Sequence, residues 1–270
     1  MVNLCKSKVS VSAAQNILWD DPKFQPNWVP SLPPKELSAA AGKRVGSVIA
    51  KYKGQVIHWD VVNENLHFNF FESKLGANAS ATFYRLASQF DNKTPLFLND
   101  FNTIEDQRDG ASSPANYLNK IKQLRAGGYN GVLGIGLEGH FVTRVGLISG
   151  RTRYTCFCKI AHVDHWAKFL DEIIKEVVGH PAVQGLLIWS AWSPQGCYRM
   201  CLTDNNFKNL PTGDVCQTKF VRHYHTRWFV GTTNAEVISD YCSMEITNVV
   251  TRPSLPDWSF HYNLMIPYYI

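Results

Sequence analysis

Four apolar segments, each running into polar or aromatic residues at its carboxyl end, constrain this chain more than any other feature. Gln55–Val62 leads into Asn63-Glu64-Asn65, Pro95–Leu98 into Asn99-Asp100, Gly131–Leu137 into Glu138-Gly139-His140, and Leu186–Trp189 reaches on to Trp192. Short apolar runs of this length read as strands. Between them lie helical patterns. Lys35–Tyr52 and Ala79–Gln89 carry apolar residues near helical spacing, and Ser113-Pro114 supplies an N-cap followed by proline at the first helical position. Trp166–Val178 places Phe169, Leu170, Ile173, Ile174 and Val177 on one face and is stopped by Gly179-His180-Pro181. Strands alternating with such helices predict parallel β/α units. In that architecture the carboxyl ends of the strands carry the active site. No strand is followed by G-x-G-x-x-G or G-x-x-x-x-G-K-[ST], which favours a β/α barrel over a nucleotide-binding sheet.

Composition narrows the ligand. Charged residues make up 18% of the 270, below the roughly 25% of an average soluble domain. Aromatics reach 13%, with Trp 8, a balance suited to neutral, ring-shaped ligands. The net charge of +5 is scattered, without a run of like charges, so no nucleic-acid partner is expected. The most apolar stretch, Val183–Trp192, contains Gln184 and Ser190 and falls well short of the roughly 20 residues of a membrane span, so no membrane partner is expected either. The first residues lack the apolar core of a secretory signal. The cysteines have neither disulfide-scaffold nor zinc-site spacing, and the sequons at Asn78 and Asn92 would matter only in a secreted protein. Compartment stays open on this chemistry.

Glu64 stands at a strand end beside an apolar wall and the carboxamide of Asn63. A carboxyl in such a place can be shifted toward general-acid use; the competing reading is a solvent-exposed loop glutamate. The string His58-Trp59-Asp60-Val61-Val62-Asn63-Glu64 resembles the WDVVNE signature of glycoside hydrolase family 10, whose members include endo-β-1,4-xylanases. Leu96-Phe97-Leu98-Asn99-Asp100-Phe101-Asn102 is similar to the family's LFxNDYN strand, and Gly134-Ile135-Gly136-Leu137-Glu138-Gly139-His140 to its GIGxQxH strand in the plant form. Residues 185–215 resemble the last barrel strand and following loop.

The resemblance implies a (β/α)8 barrel and retaining hydrolysis, in which two carboxyl groups roughly 5–5.5 Å apart act as acid/base and nucleophile. By motif, Glu64 matches the acid/base. Asn63 matches the carboxamide that contacts the sugar, and His140 the imidazole that supports the nucleophile. Glu138 stands where many members have Gln, while Trp189 and Trp192 match the aromatic rim of the sugar subsites, with barrel core as their alternative. Trp19 and Asn99 complete the implied substrate-binding set. The implied partner is xylan or a related β-1,4-glycan, bound by a monomer without cofactor or metal. The family also implies an extracellular or cell-wall location.

The sequence departs from the pattern in two places. The family nucleophile is a Glu in a T-E-[LV]-D strand, yet residues 142–166 contain no Glu, and their only carboxylate is Asp164. If Val163-Asp164 corresponds to the V-D of that strand, His162 holds the nucleophile position. Asp171 and Glu172 lie in a helical pattern and are not expected to substitute. Near the start, Ala13-Ala14-Gln15 replaces R-G-H before Asn16-Ile17-Leu18-Trp19. The expectation is therefore an incomplete barrel over residues 1–215, lacking its first β/α units and out of pattern at 142–166, with residues 216–270 as an unassigned tail. The expected activity is weak or absent xylan hydrolysis; the alternatives are a non-catalytic β-glycan-binding protein or a defective gene product.

Overall fold

The computed structural model describes residues 12–14, 16–106, 108–142, 163–180, 183, 185–188, 192, 201–216, 230–232 and 259–268. The chain divides into two compact units, one built on residues 13–103 and 107–136 and the other within residues 137–267.

In the first unit the strands are β1 (Ser12–Ala14), β2 (Leu18–Trp19), β3 (Val56–Asp60), β4 (Val62–Asn63), β5 (Leu96–Asp100) and the start of β6 (Leu133–Val142). The strand order β1-β3-β5-β6 comes from parallel pairing such as Trp59 with Leu96 and Asp60 with Phe97. The single strand expected over Gln55–Val62 is instead two. Val56–Asp60 pairs with β5, whereas Val62–Asn63 pairs with β2, Leu18 opposite Val62 and Trp19 opposite Asn63. The interruption falls at Val61 because two successive carbonyls, those of Asp60 and Val61, both face β2, accepting the Ile17 N–H at 2.9 Å and the Leu18 N–H at 3.0 Å, a bulge-like irregularity in the ladder.

Helices α1 (Pro34–Tyr52), α2 (Phe70–Leu75), α3 (Ala79–Phe90) and α4 (Pro114–Ala126) follow the strands. α1 buries Leu37, Ala41, Val45 and Ile49, a four-residue spacing that lines up one face. Its Gly46 lies where a Cβ would meet the Phe90 ring at 2.8 Å, so α1 and α3 pack closely. Tyr84 on α3 is fully buried and its hydroxyl donates to the Phe97 carbonyl at 2.7 Å, tying helix to sheet. The expected N-cap of α4 is present: Ser113 Oγ accepts the Asn116 N–H. Burying Trp59, Leu98, Leu124 and Leu133 between sheet and helices supplies the main driving force, roughly 1.5–3 kcal/mol per large side chain.

The second unit holds the rest of β6, α5 (Val163–Gly179), β7 (Gly185–Ile188), α6 (Pro211–Cys216), β8 (Val230–Thr232) and β9 (Ser259–Tyr268). On α5 the predicted face is buried at Leu170, Ile173, Ile174 and Val177. β8 runs parallel to β7 and β9 antiparallel to it, so this edge departs from the all-parallel sheet that the strand–helix alternation predicts. Val163-Asp164, aligned above with a strand end, opens α5 instead. The apolar spacing of Trp166, Leu170, Ile173 and Val177 carries the helix back to these residues. His162, and with it the nucleophile alignment, lies outside the described residues.

Candidate active site

The carboxyl ends of β2, β4 and β5 meet in the first unit. Asn99 Nδ2 donates to Asn63 Oδ1 at 2.8 Å, and Trp19 Nε1 donates to Glu64 Oε2 at 2.8 Å. Glu64 is only 5% exposed, which removes the exposed-loop reading. Trp19 is itself held: its ring stacks on Phe24 at 4.2 Å, and Gln25 Nε2 donates to its carbonyl. The indole therefore aims a fixed donor at the carboxylate.

Glu64 adopts φ +56, a left-handed conformation that costs a non-glycine residue roughly 1–3 kcal/mol. Neighbouring hydrogen bonds impose it. The Glu64 N–H donates to the Asn99 carbonyl at 3.0 Å, and the Glu64 carbonyl accepts the Phe68 N–H at 3.0 Å. Asp100 Oδ2 takes the Leu66 N–H at 2.7 Å. The strand end thus becomes a tight turn that folds the Glu64 side chain back toward Trp19.

The G-I-G spacing on β6 follows from the same packing. A Cβ on Gly134 would stand 2.3 Å from the Phe97 ring, and one on Gly136 would stand 2.3 Å from Asn99 Oδ1. Both positions must lack a side chain for β5 to lie flat against β6. Tyr117 closes this corner, its hydroxyl donating to the Gly136 carbonyl at 3.1 Å.

Three buried titratable groups border the site. Burial lifts the Asp20 carboxyl to about 6, against the pull of the Phe71 N–H; Asp20 Oδ1 accepts that N–H at 2.9 Å. Burial drives His58 down to about 3, so it stays neutral against the Phe97 ring at 4.5 Å. Burial also raises Asp100, with His67 pulling it back. None of these can coordinate a cation as a group: among the described residues no cluster of three His, Cys, Asp or Glu could hold a metal ion.

Of the residues expected from sequence, Trp19, Asn63, Glu64 and Asn99 come together. Glu138, half-buried on β6, and Trp192 belong to the second unit. Trp192 Nε1 donates to Asn205 Oδ1 at 3.3 Å, and its ring lies 5.4 Å from Phe207. Trp189 and the side chain of His140 lie outside the described residues. Sequence reasoning missed His67 and Asp109, whose side chains meet near the site (2.9 Å). The Asp109-Gly110 turn signal was the only local hint.

The family model described as Glycosyl hydrolase family 10 matches residues 1–154. "Endo-1,4-beta-xylanase 4" of Arabidopsis thaliana is 36% identical over 231 residues, covering 80% of this chain and 40% of that protein. "Endo-1,4-beta-xylanase 5-like" of the same plant is 34% identical over 272 residues, covering 93% and 48%. The chain thus spans less than half the length of these curated relatives. Native xylanase 10B from Thermotoga maritima superposes with a TM-score of 0.57 at 17% identity, covering 82% of this chain and 79% of that one, a likeness of fold.

Proposed function

The chain belongs to glycosyl hydrolase family 10, and from that premise we propose that it acts on the β-1,4-linked backbone of xylan, with Glu64 as acid/base. The observation that carries this reading is the Trp19 N–H held on the Glu64 carboxyl at 2.8 Å beside the Asn63–Asn99 pair. A buried carboxyl held by the Trp19 N–H can give its proton to the glycosidic oxygen as the leaving sugar departs, then recover one from water. Asn63 commits its oxygen to Asn99, which leaves its amide N–H groups as donors for a sugar hydroxyl. By the family motifs alone, Trp19, Trp189 and Trp192 are assigned to stacking on pyranose faces, Glu138 to substrate contact and His140 to nucleophile support.

The family's second carboxylate is the weak point. Residues 142–166 contain no Glu, and Asp164 falls on α5. The proposed outcome is therefore xylan binding with slow turnover, and this same absence favours the second reading, a β-glycan-binding protein without hydrolysis. We assign residues 1–215 to an incomplete barrel and residues 216–270 to an addition that contributes β8 and β9. No cofactor, nucleic acid or membrane enters the proposal, and the working unit is a monomer.

Purified protein incubated with xylan and with an activated aryl xyloside tests the reading. Glu64→Ala should abolish xylan cleavage yet spare more of the aryl-xyloside rate, because a good leaving group needs little protonation. Equal losses on both substrates would remove Glu64 as the acid. Xylan binding by calorimetry without turnover would establish the second reading, and absence of both would sink the proposal.

A further inference from the structure

The turn after Glu64 is built around a histidine that acid/base chemistry does not use. His67 Nδ1 contacts Asp100 Oδ1, and Nε2 contacts Asp109 Oδ2 at 2.9 Å. The Phe101 ring lies parallel to the imidazole at 3.8 Å. A neutral imidazole can donate from only one nitrogen. With a carboxylate oxygen on each side, only the imidazolium satisfies both contacts. Burial opposes that charge, but the hydrogen bond and charge of Asp100, joined by those of Asp109, outweigh it and hold His67 above its ordinary value.

Each carboxylate on the imidazolium organises backbone in turn. Asp100 takes the Leu66 N–H at 2.7 Å and the Phe101 N–H at 2.9 Å. Asp109 takes Asn102 Nδ2 at 2.7 Å and the Ala111 N–H at 3.1 Å, and Asn102 sits at φ +56. His67 therefore joins the turn after β4, the end of β5 and the loop beyond it. Further out, the charge of Asp100 acts on Asp20, which also feels Glu72 and Lys120.

We propose that His67 is a positioning residue: its imidazolium, bridging Asp100 and Asp109, fixes the turn that keeps Glu64 left-handed and its carboxyl on the Trp19 indole. The inference deepens the assignment of Glu64 and rests on it for its bearing on turnover, although the coupling itself is a property of the fold. As pH rises through the His67 pKa, one N–H is lost and one carboxylate contact with it, so the turn loosens on the alkaline side. On the acid side the bridge weakens as Asp100, lifted by burial, takes a proton.

The test is a pH titration of the full chain by NMR, following the His67 imidazole and the Trp19 indole N–H, the latter assigned with Trp19→Phe. The two signals should titrate with one shared midpoint above the ordinary histidine value. Asp109→Asn, which keeps the Phe101 stack and the Asp100 contact, should lower both midpoints together by about one pH unit, the effect of one neighbouring carboxylate. His67→Gln should abolish the pH step in the Trp19 signal; should that variant not fold, the Asp109→Asn shift carries the test. A Trp19 signal that stays flat while His67 titrates, or that keeps its step in His67→Gln, would overturn the proposal. The measurement needs no turnover, so failure of the Glu64 acid assignment would appear separately in the xyloside assays.

Discussion

Replacing Asp20 by Asn should relieve, at neutral pH, a cost that is absent in acid, and so make stability less dependent on pH. Asp20 is fully buried directly after Trp19. Its Oδ1 accepts the Phe71 N–H at 2.9 Å, while Oδ2 has no partner among the described residues. Burial lifts the carboxyl from 3.8 to about 6; the Phe71 N–H opposes the lift, Glu72 adds to it, Lys120 opposes it and Asp100 adds to it. A carboxyl whose folded pKa is raised favours the folded state only while protonated. Its contribution is complete below pH 3.8 and is lost as pH rises through 6. The shift is about two pKa units, so at 1.36 kcal/mol per unit ionisation costs about 3 kcal/mol at neutral pH.

Asparagine keeps the shape and the acceptor for the Phe71 N–H but cannot ionise. Its own buried amide donors cost about 1–3 kcal/mol if unsatisfied, and that term does not vary with pH. Urea denaturation followed by tryptophan fluorescence at pH 4 and at pH 7.5 separates the two contributions. The stability of Asp20→Asn relative to wild type should be about 2.5 kcal/mol more favourable at pH 7.5 than at pH 4, with m unchanged. A difference that is constant between the two pH values, or that grows toward acid, would show that Asp20 is not a carboxyl held at a cost.

Two other substitutions follow from the packing. Gly136→Ala should push Asn99 off Asn63, because the added Cβ would stand 2.3 Å from Asn99 Oδ1; denaturation should show a loss of about 1–3 kcal/mol, and calorimetry weaker xylan binding, whereas wild-type values in both would contradict the close β5–β6 contact. Asp91→Ala should cost about 1–3 kcal/mol in the same denaturation assay, because Asp91 accepts the buried Trp59 indole N–H at 3.1 Å and the Lys93 N–H at 3.2 Å; a change below about 0.5 kcal/mol, the size of a surface substitution, would mean those donors find other acceptors.

The elements whose pattern is local were legible. α5 shows its face in the spacing of Leu170, Ile173, Ile174 and Val177, and α4 shows its start in Ser113-Pro114. The strand-end positions of Glu64 and Asn99 were legible too, and the fold brings both to the carboxyl ends of β4 and β5. What sequence could not show is set by partners distant in the chain. The split at Val61 depends on how β2 meets the strand, with the carbonyls of both Asp60 and Val61 accepting from it. The pairing of His67 with Asp100 and Asp109 spans 33 and 42 residues, and no periodicity marks such a contact. Alternation of strand and helix likewise carries no signal for β9, whose antiparallel place beside β7 comes from sheet pairing alone.

Asp20, Asp100 and His67 share one electrostatic neighbourhood, and their signs agree. The raised pKa of Asp20 and that of His67 both give stability that is present in acid and lost as pH rises. Two carboxyls act the other way. Although burial pushes them up, Asp91 is held below its usual value by bonds from Thr94 and Trp59, and Asp109 by bonds from Asn102 and His67, so their contributions persist until the pH falls well into the acid range. Between those limits Asp20 takes up its proton, which relieves its repulsion with Asp100, while His67 is charged and Asp109, held low, remains a carboxylate partner. The turn that follows Glu64 is therefore held hardest in mildly acidic solution, where the His67 charge and the Asp109 carboxylate coexist.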